Sequence, residues 1–504
     1  MRARPPALNQ PGPSFVSTSQ RQNRPKRKSA LWRSDAAMGL AVVLAVVALN
    51  AATDFFSGLE RRFYDLASTQ TSRLPSDRIA VIAIDDQSVA NIGRWPWPRE
   101  VHAQLIDQLG AAGAKTVAHT AFFFEPQTDR GLVQLRELRG LLDGSQTGSA
   151  PLTDLGDQGR QRLLGFIGQA EQQLDSDARL VASMARAGNV IVPSVFELGE
   201  PQGPVDQPLP AFAQRSAIAD NAAFGVSALR SQQPLPAIGE AARAVGHLNQ
   251  LPDVDGAVRQ EGLLVQFDGF AVPSMALAIA ANSLNLTAKD LQLLPGEGVQ
   301  LGRNVIPTDD TARLLPQFYP DRDGKVAFAV DSFYDVLSGR IPASKYADKI
   351  VIIGATAAGV GTLFTTPVSA AMSPAAILAH ITSSILSNHH IVQPLWGGYA
   401  VFAALLLIAA YIVWLLPRLS AAAGAACTGA LFVALLGAEF GLLSAAATWL
   451  QLVFPAALRQ RSGRPRRDPS RAAPRTGRAR SRPDRRQAVS RRGACRPAAA
   501  GCAR

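Results

Sequence analysis

Arg78–Phe124 reads RIAVIAIDDQSVANIGRWPWPREVHAQLIDQLGAAGAKTVAHTAFFF, and its apolar spacing changes twice. Arg78–Asp85 (RIAVIAID) is a short apolar run ending in two acids, Asp85 and Asp86, as a buried strand would. From Pro98 through Gly110 the spacing becomes helical. Pro98 suits a first turn, and Val101, Leu105, Ile106 and Leu109 recur on one face. Gly113 ends that helix, and Lys115–Phe124 is a second apolar run of strand character. Strand, helix, strand in that order predicts a parallel pair joined by a crossover helix.

The theme continues outward. A helix is expected at Asp177–Ala187, a strand at Asn189–Val195, a helix at Pro273–Ala281, a strand at Lys349–Gly354 and a helix over Pro374–Leu386. Gly131–Asp175 reads as an excursion with its own helix, and Glu197–Pro236, rich in Pro, Gln and Ala, as surface loop. The fold class is therefore an α/β domain over residues 54–394. Its segments Asp253–Gly256 and Asp321–Gly324 each end in Asp-Gly, a favoured hairpin turn. Neither has the acid spacing of a calcium loop.

Long apolar runs flank this domain. They predict four transmembrane helices at 36–53, 395–416, 420–437 and 440–458, each near the roughly 20 residues that cross a bilayer. Pro417-Arg418 is then an inner turn and Ala438–Phe440 an outer one. Residues 1–35 form a basic segment; its first 33 carry eight Lys or Arg and no acid. Residues 459–504 carry 16 Arg against Asp468 and Asp484, which leaves the stretch between net acidic. The positive-inside tendency places both termini in the cytoplasm and the domain outside, in the periplasm of an inner-membrane protein. The formal +12 is thus a topology signal, and no nucleic acid partner is expected. Lipid is the expected neighbour. The Ala- and Gly-rich terminal helices (Ala421–Ala426, Gly429) suit close packing between two subunits of a homodimer. A cleaved signal peptide fits the first run less well, because over 30 residues precede it and no A-x-A-like site follows. The three cysteines, Cys427, Cys495 and Cys502, all lie outside the domain, so a core and not disulfides must hold it.

Catalytic patterns are scarce. Gly354–Gly361 (GATAAGVG) lacks the G-x-G-x-x-G spacing and the Lys-Ser/Thr of a phosphate loop, and reads as a glycine turn. None of the six His shows a metal spacing, no G-x-S-x-G elbow is present, and no cofactor is expected. The acids Asp85, Asp86, Glu125 and Asp129 fall at the carboxyl ends of the two strands, where open α/β sheets bind ligands; capping of helices and loops is the competing role. Gly93–Arg99 (GRWPWPR) is a stiff aromatic segment in which Trp95 and Trp97, flanked by Arg94 and Arg99, serve as a ligand wall or as packing. The candidate ligand or structural residues are Asp85, Asp86, Trp95, Trp97, Arg99 and Glu125.

Ala83–Arg99 (AIDDQSVANIGRWPWPR), with His102 through Leu109 after it, resembles the opening of the second type of CHASE domain. That family is the extracellular sensory domain found with bacterial cyclases and kinases. Glu125-Pro126, GHLNQLPDVDGAVR at Gly246–Arg259, Pro273-Ser274, VDSFYDVLSGRIP at Val330–Pro342, DKIVIIGATAAGVGT at Asp348–Thr362, Thr366-Pro367 and Ala379-His380 follow in order. The likeness covers about residues 54–394 and the terminal helices. One departure is His119-Thr120, where many members have an Asp. The resemblance implies an input module that senses an unidentified extracytoplasmic stimulus, followed inside the cell by a Ser/Thr kinase, histidine kinase, nucleotide cyclase or diguanylate cyclase.

No such effector can be read after Leu458. The tail, 459–504, holds no Lys, no aromatic residue and Val489 as its one large aliphatic, so it reads as disordered and non-catalytic. It is either a basic tail for anionic lipid or the out-of-frame translation of a lost effector, a Ser/Thr kinase or an adenylyl/guanylyl cyclase. As it stands the chain is expected to have no enzyme activity. A tethered solute-binding protein working with a transporter is the alternative function.

Overall fold

Helix α1 (Phe55–Thr69) leads to strand β1 (Ile79–Ile84), which is buried at every position. The computed structural model describes residues 52–451, apart from 54, 128, 144–156, 202, 204–205, 220–223 and 358, together with residues 41, 44, 45 and 48. These lie within one unit, Met1–Ala457. β1 ends at Asp85, whose carboxylate accepts from the Ser88 N–H and caps the short helix α2 (Asp86–Ile92). Pro98 precedes α3 (Arg99–Ala111), which buries Leu105, Ile106 and Leu109 as its spacing predicts. β2 is only Thr116–His119, shorter than the expected Lys115–Phe124. The chain leaves the sheet there because the Ala121 N–H turns back to His119 Nδ1 at 3.1 Å.

The excursion after residue 130 is a helical pair, α4 (Arg130–Asp143) and α5 (Asp157–Leu174), tied by Arg139–Glu171 at 2.6 Å. Next come α6 (Ser176–Ala187), β3 (Val190–Leu198), β4 (Val226–Gln232), β5 (Ala244–His247), β6 (Val258–Gly262), β7 (Leu264–Phe267) and β8 (Phe270–Pro273). Helix α7 (Met275–Ser283) starts under a Ser274 cap. The rest of the domain adds β9 (Arg313–Pro316), β10 (Ala329–Ser332), β11 (Ile350–Ala355) and α8 (Pro374–Leu386).

The main sheet runs β10–β1–β11–β2–β3, all parallel. β3 then serves two partners. Ile191–Ser194 pair parallel with β5, and Val195–Leu198 pair antiparallel with β4, which leads on to β7 and β8. β1 and β2 are parallel, as expected, but not neighbours, because β11 lies between them. The run IVIIGA is apolar on both faces without alternation, which belongs at the centre of a covered sheet. Helices α7 and α8 cover one face of that sheet, and α3 and α6 the other.

Glycine does two jobs in GATAAGVG. A Cβ on Gly354 would lie 2.6 Å from the Ala375 Cβ and 2.5 Å from Thr120 Oγ1, so this glycine lets α8 approach the sheet. Gly359, at φ +79°, makes the turn. Both Asp-Gly pairs are hairpin turns. Gly256 donates to the Asp253 carbonyl at 2.8 Å, and Asp323 and Gly324 adopt φ +52° and +72° between bridged Arg322 and Lys325. Glu197–Pro236 is more than surface loop. It supplies β4 and buries Leu209, Phe212, Ala213 and Phe224, apolar residues spaced among its prolines.

Beyond the domain, two helices among the described residues are long and apolar enough to cross a membrane, α9 (Gly397–Arg418) and α10 (Ala421–Ala446). The turn at Pro417-Arg418 is present, and Ser420 caps α10 through the Ala423 N–H. The expected outer turn at Ala438–Phe440 is not. One continuous helix replaces the start of span 440–458, because isolated glycines do not break a helix and Phe440 packs on Phe63 at 6.4 Å. Span 36–53 falls largely outside the described residues, and the tail 459–504 wholly so.

Candidate functional site

The GRWPWPR segment folds over the carboxyl ends of β1 and β2 and closes an aromatic box. Trp97 is 1% exposed and donates from its indole N–H to the Gly93 carbonyl at 2.8 Å. Its ring packs on Phe333 (4.9 Å) and edge-on to Trp95 (5.2 Å), which is partly buried. At the centre His119 Nε2 lies 3.0 Å from His102 Nδ1, with Phe123 against both rings. Since Ala121 donates to His119 Nδ1, His119 must carry its proton on Nε2 and give it to His102 Nδ1. Both rings are therefore neutral. Burial, with Arg99 adding to it, drives His119 down to about 3, and burial, then the facing His119, holds His102 well below its ordinary value.

Arg99 closes the box. Its guanidinium lies 4.7 Å over the Phe123 ring, donates to the Glu125 carbonyl and pairs with Asp177 at 3.3 Å. Burial lowers its pKa, and Asp177 opposes that. Gln127 links the pieces: its side-chain oxygen accepts from the Arg99 N–H and the Ser176 hydroxyl, and its own N–H donates to Asp177.

Of the candidate residues, the fold brings Trp95, Trp97 and Arg99 together. The four acids do not converge. Asp85 caps α2 and accepts from the hydroxyls of Ser88 and Ser332. Asp86 is exposed in the first turn of α2, Glu125 is exposed and engages Arg99 only through its carbonyl, and Asp129 caps α4 through the N–H groups of Gly131 and Leu132. The sequence reading missed the His102–His119 pair, because only the β2 register brings His119 onto α3. Among the described residues no group of three or more His, Cys, Asp or Glu could hold a metal ion.

A second constellation lies at the other end of the domain, where the apolar helices begin. Arg259 of β6, with its side chain 5% exposed, donates to both oxygens of Asp65 on α1 (2.7 and 2.8 Å), to Asp253 (2.9 Å) and to both oxygens of Asp255 (2.8 and 2.9 Å). Burial alone would loosen its proton, but these carboxylates hold it charged, and Arg259 in turn lowers the Asp255 pKa. One residue before Asp65, Tyr64 packs on Trp449 at 4.6 Å, and the Trp449 indole donates to Glu60 at 3.0 Å. Val392 binds the far end of α10, its N–H donating to the Ala447 carbonyl (2.8 Å) and its carbonyl accepting from Trp449 (3.0 Å). Helix α1, the strand β6 and both ends of the α9–α10 hairpin thus meet in one cluster.

The comparisons fit this architecture. A family model described as the CHASE2 domain matches residues 40–419. No curated protein and no solved structure matches the chain. The matched span takes in the aromatic box, Arg259 with its three carboxylates, and the first apolar helix after the domain. The chain belongs to the CHASE2 domain family, the extracellular sensory modules of membrane signalling receptors.

Proposed function

We propose that this chain is the input half of a membrane-bound signalling receptor whose cytoplasmic effector, a Ser/Thr kinase or an adenylyl/guanylyl cyclase, is encoded out of frame beyond Leu458. The observation that carries the sensor reading is the Arg259–Asp65 pair. It joins a strand of the outer domain to α1, the helix that follows the first apolar run in sequence, so displacement of β6 acts on α1 through two charge-assisted hydrogen bonds. A stimulus shifts such a system only if it binds the two arrangements unequally.

The crossing pattern supports the interrupted frame. Helix α10 returns to the domain side, where Ala447 binds Val392. From Trp449 to Leu458 the sequence then stays mostly apolar for about half of the roughly 20 residues of a crossing before Arg459 ends the run. A third span cut midway is the expected trace of a frameshift inside it.

The test joins residues 1–450 to a complete third membrane helix and a reporter cyclase. Replacing Arg259 by Gln should change cyclase output at equal expression, and so should Trp97→Ala. Output indifferent to every outer-domain substitution would sink the sensor reading. Translating the other two frames across codons 450–470 tests the effector: a kinase or cyclase sequence in one of them is expected.

A further inference from the structure

Glu261 is a buried acid to which neither constellation gives a role. It sits on β6, two residues beyond Arg259, and is 3% exposed. The Ser274 hydroxyl serves its carboxyl group, but Oε2 has no hydrogen-bond partner. Among the described residues no cation pairs with it, since Arg313 on the neighbouring β9 stands opposite Gly262 and not Glu261. The elements packed against β6 bring Arg313 on β9, the uncharged strands Leu251–Pro252 and Phe364–Thr366, and Ser274 at the start of α7. His247 on β5, bridged to Ser274, is neutral because burial drives it down to about 3. Its register partner Ser194 has a buried hydroxyl with no partner either. Arg259 itself is engaged by Asp65, Asp253 and Asp255. Burial pushes the Glu261 carboxyl up to about 8, with only the Ser274 hydroxyl pulling the other way.

We propose that Glu261 is a proton-binding site through which ambient pH acts on helix α1. The protonated carboxyl is neutral and fits the closed interior. When it releases its proton to solvent, a carboxylate is left without a compensating partner, and β6 relieves it by shifting toward water. The same strand carries Arg259, so that shift pulls on Asp65 and α1. A group with a raised acid pKa in the held arrangement favours that arrangement at low pH. Between about 4.5, its ordinary value, and about 8, the released arrangement gains up to about tenfold per pH unit and gains no more above that window. What the movement signals rests on the sensor reading; the movement itself does not.

The test uses the full chain in lipid nanodiscs, its three cysteines replaced by serine. Spin labels are placed through Leu66→Cys on α1 and Gln104→Cys on α3, both exposed positions. One label distance is expected at pH 5.5, and a second should gain population as pH rises to about 8 and level off above it. Glu261→Gln, neutral at every pH, should hold the low-pH distance throughout. A wild-type distance constant from pH 5 to 9 overturns the proposal, as does a Glu261→Gln protein that moves like wild type. Melting gives an independent check: Glu261→Gln should melt higher than wild type at pH 8.5 and match it at pH 5, and equal melting at both also overturns it. A failure here with a responsive reporter cyclase would remove the proton and leave the sensor standing.

Discussion

His102 and His119 illustrate how a residue's meaning depends on its neighbour. Each alone is a histidine without a metal spacing; together, 3.0 Å apart in an aromatic box, they are two bases that cannot both accept a proton. Both pKa values are lowered on folding, that of His119 to about 3, so the unfolded chain binds more protons below about 6.5. The pair's contribution to stability is therefore complete above pH 6.5 and falls as pH drops below it, by up to about 1.4 kcal/mol per pH unit for each group titrated. Denaturant unfolding at pH 7 and pH 5 should show this loss, and His119→Asn should reduce it. Trp97→Ala should cost about 3–5 kcal/mol in the same assay, since a fully buried indole leaves a large cavity. The aromatic segment was legible in sequence because Trp and Pro alternate there. The histidine pair was not, because a contact across 17 residues depends on where one strand ends.

Among the elements, the helices and strands that carry strong periodicity stand where the sequence predicts them: α3, α6, α7, α8 and β11 agree to within a residue or two. The misplacements share a cause. β2 stops short of the apolar run, because Phe122, Phe123 and Phe124 are apolar for the box and for each other rather than for the sheet. β4 was lost in a Pro-rich stretch whose apolar residues are too sparse to show a period. At this scale Gly354→Ala should force α8 off β11, overpacking that costs about 1–3 kcal/mol, visible as faster amide exchange in both elements. Arg259→Gln leaves three carboxylates around a lost cation, and breaking such a buried pair costs about 3–5 kcal/mol. Exchange should then rise first in α1, Phe55–Thr69; uniform loosening of the whole domain would instead mean that the pair only holds β6.

For the whole molecule, composition disclosed a domain flanked by apolar runs, and the structure adds, among the described residues, two helices after it that are long and apolar enough to cross a membrane. The α9–α10 hairpin places Ala447 beside Val392, so the residues after it start from the domain side. The sheet itself has a consequence for how this chain is made. β11 fills the gap between β1 and β2, yet it is synthesised more than two hundred residues after either. While the chain is being exported, its first two strands therefore have no central partner and must wait, exposed, on the far side of the membrane. The domain becomes a domain only when Ile350–Ala355 arrives, and a ribosome that stalls earlier leaves a fragment for the protease rather than a smaller sensor.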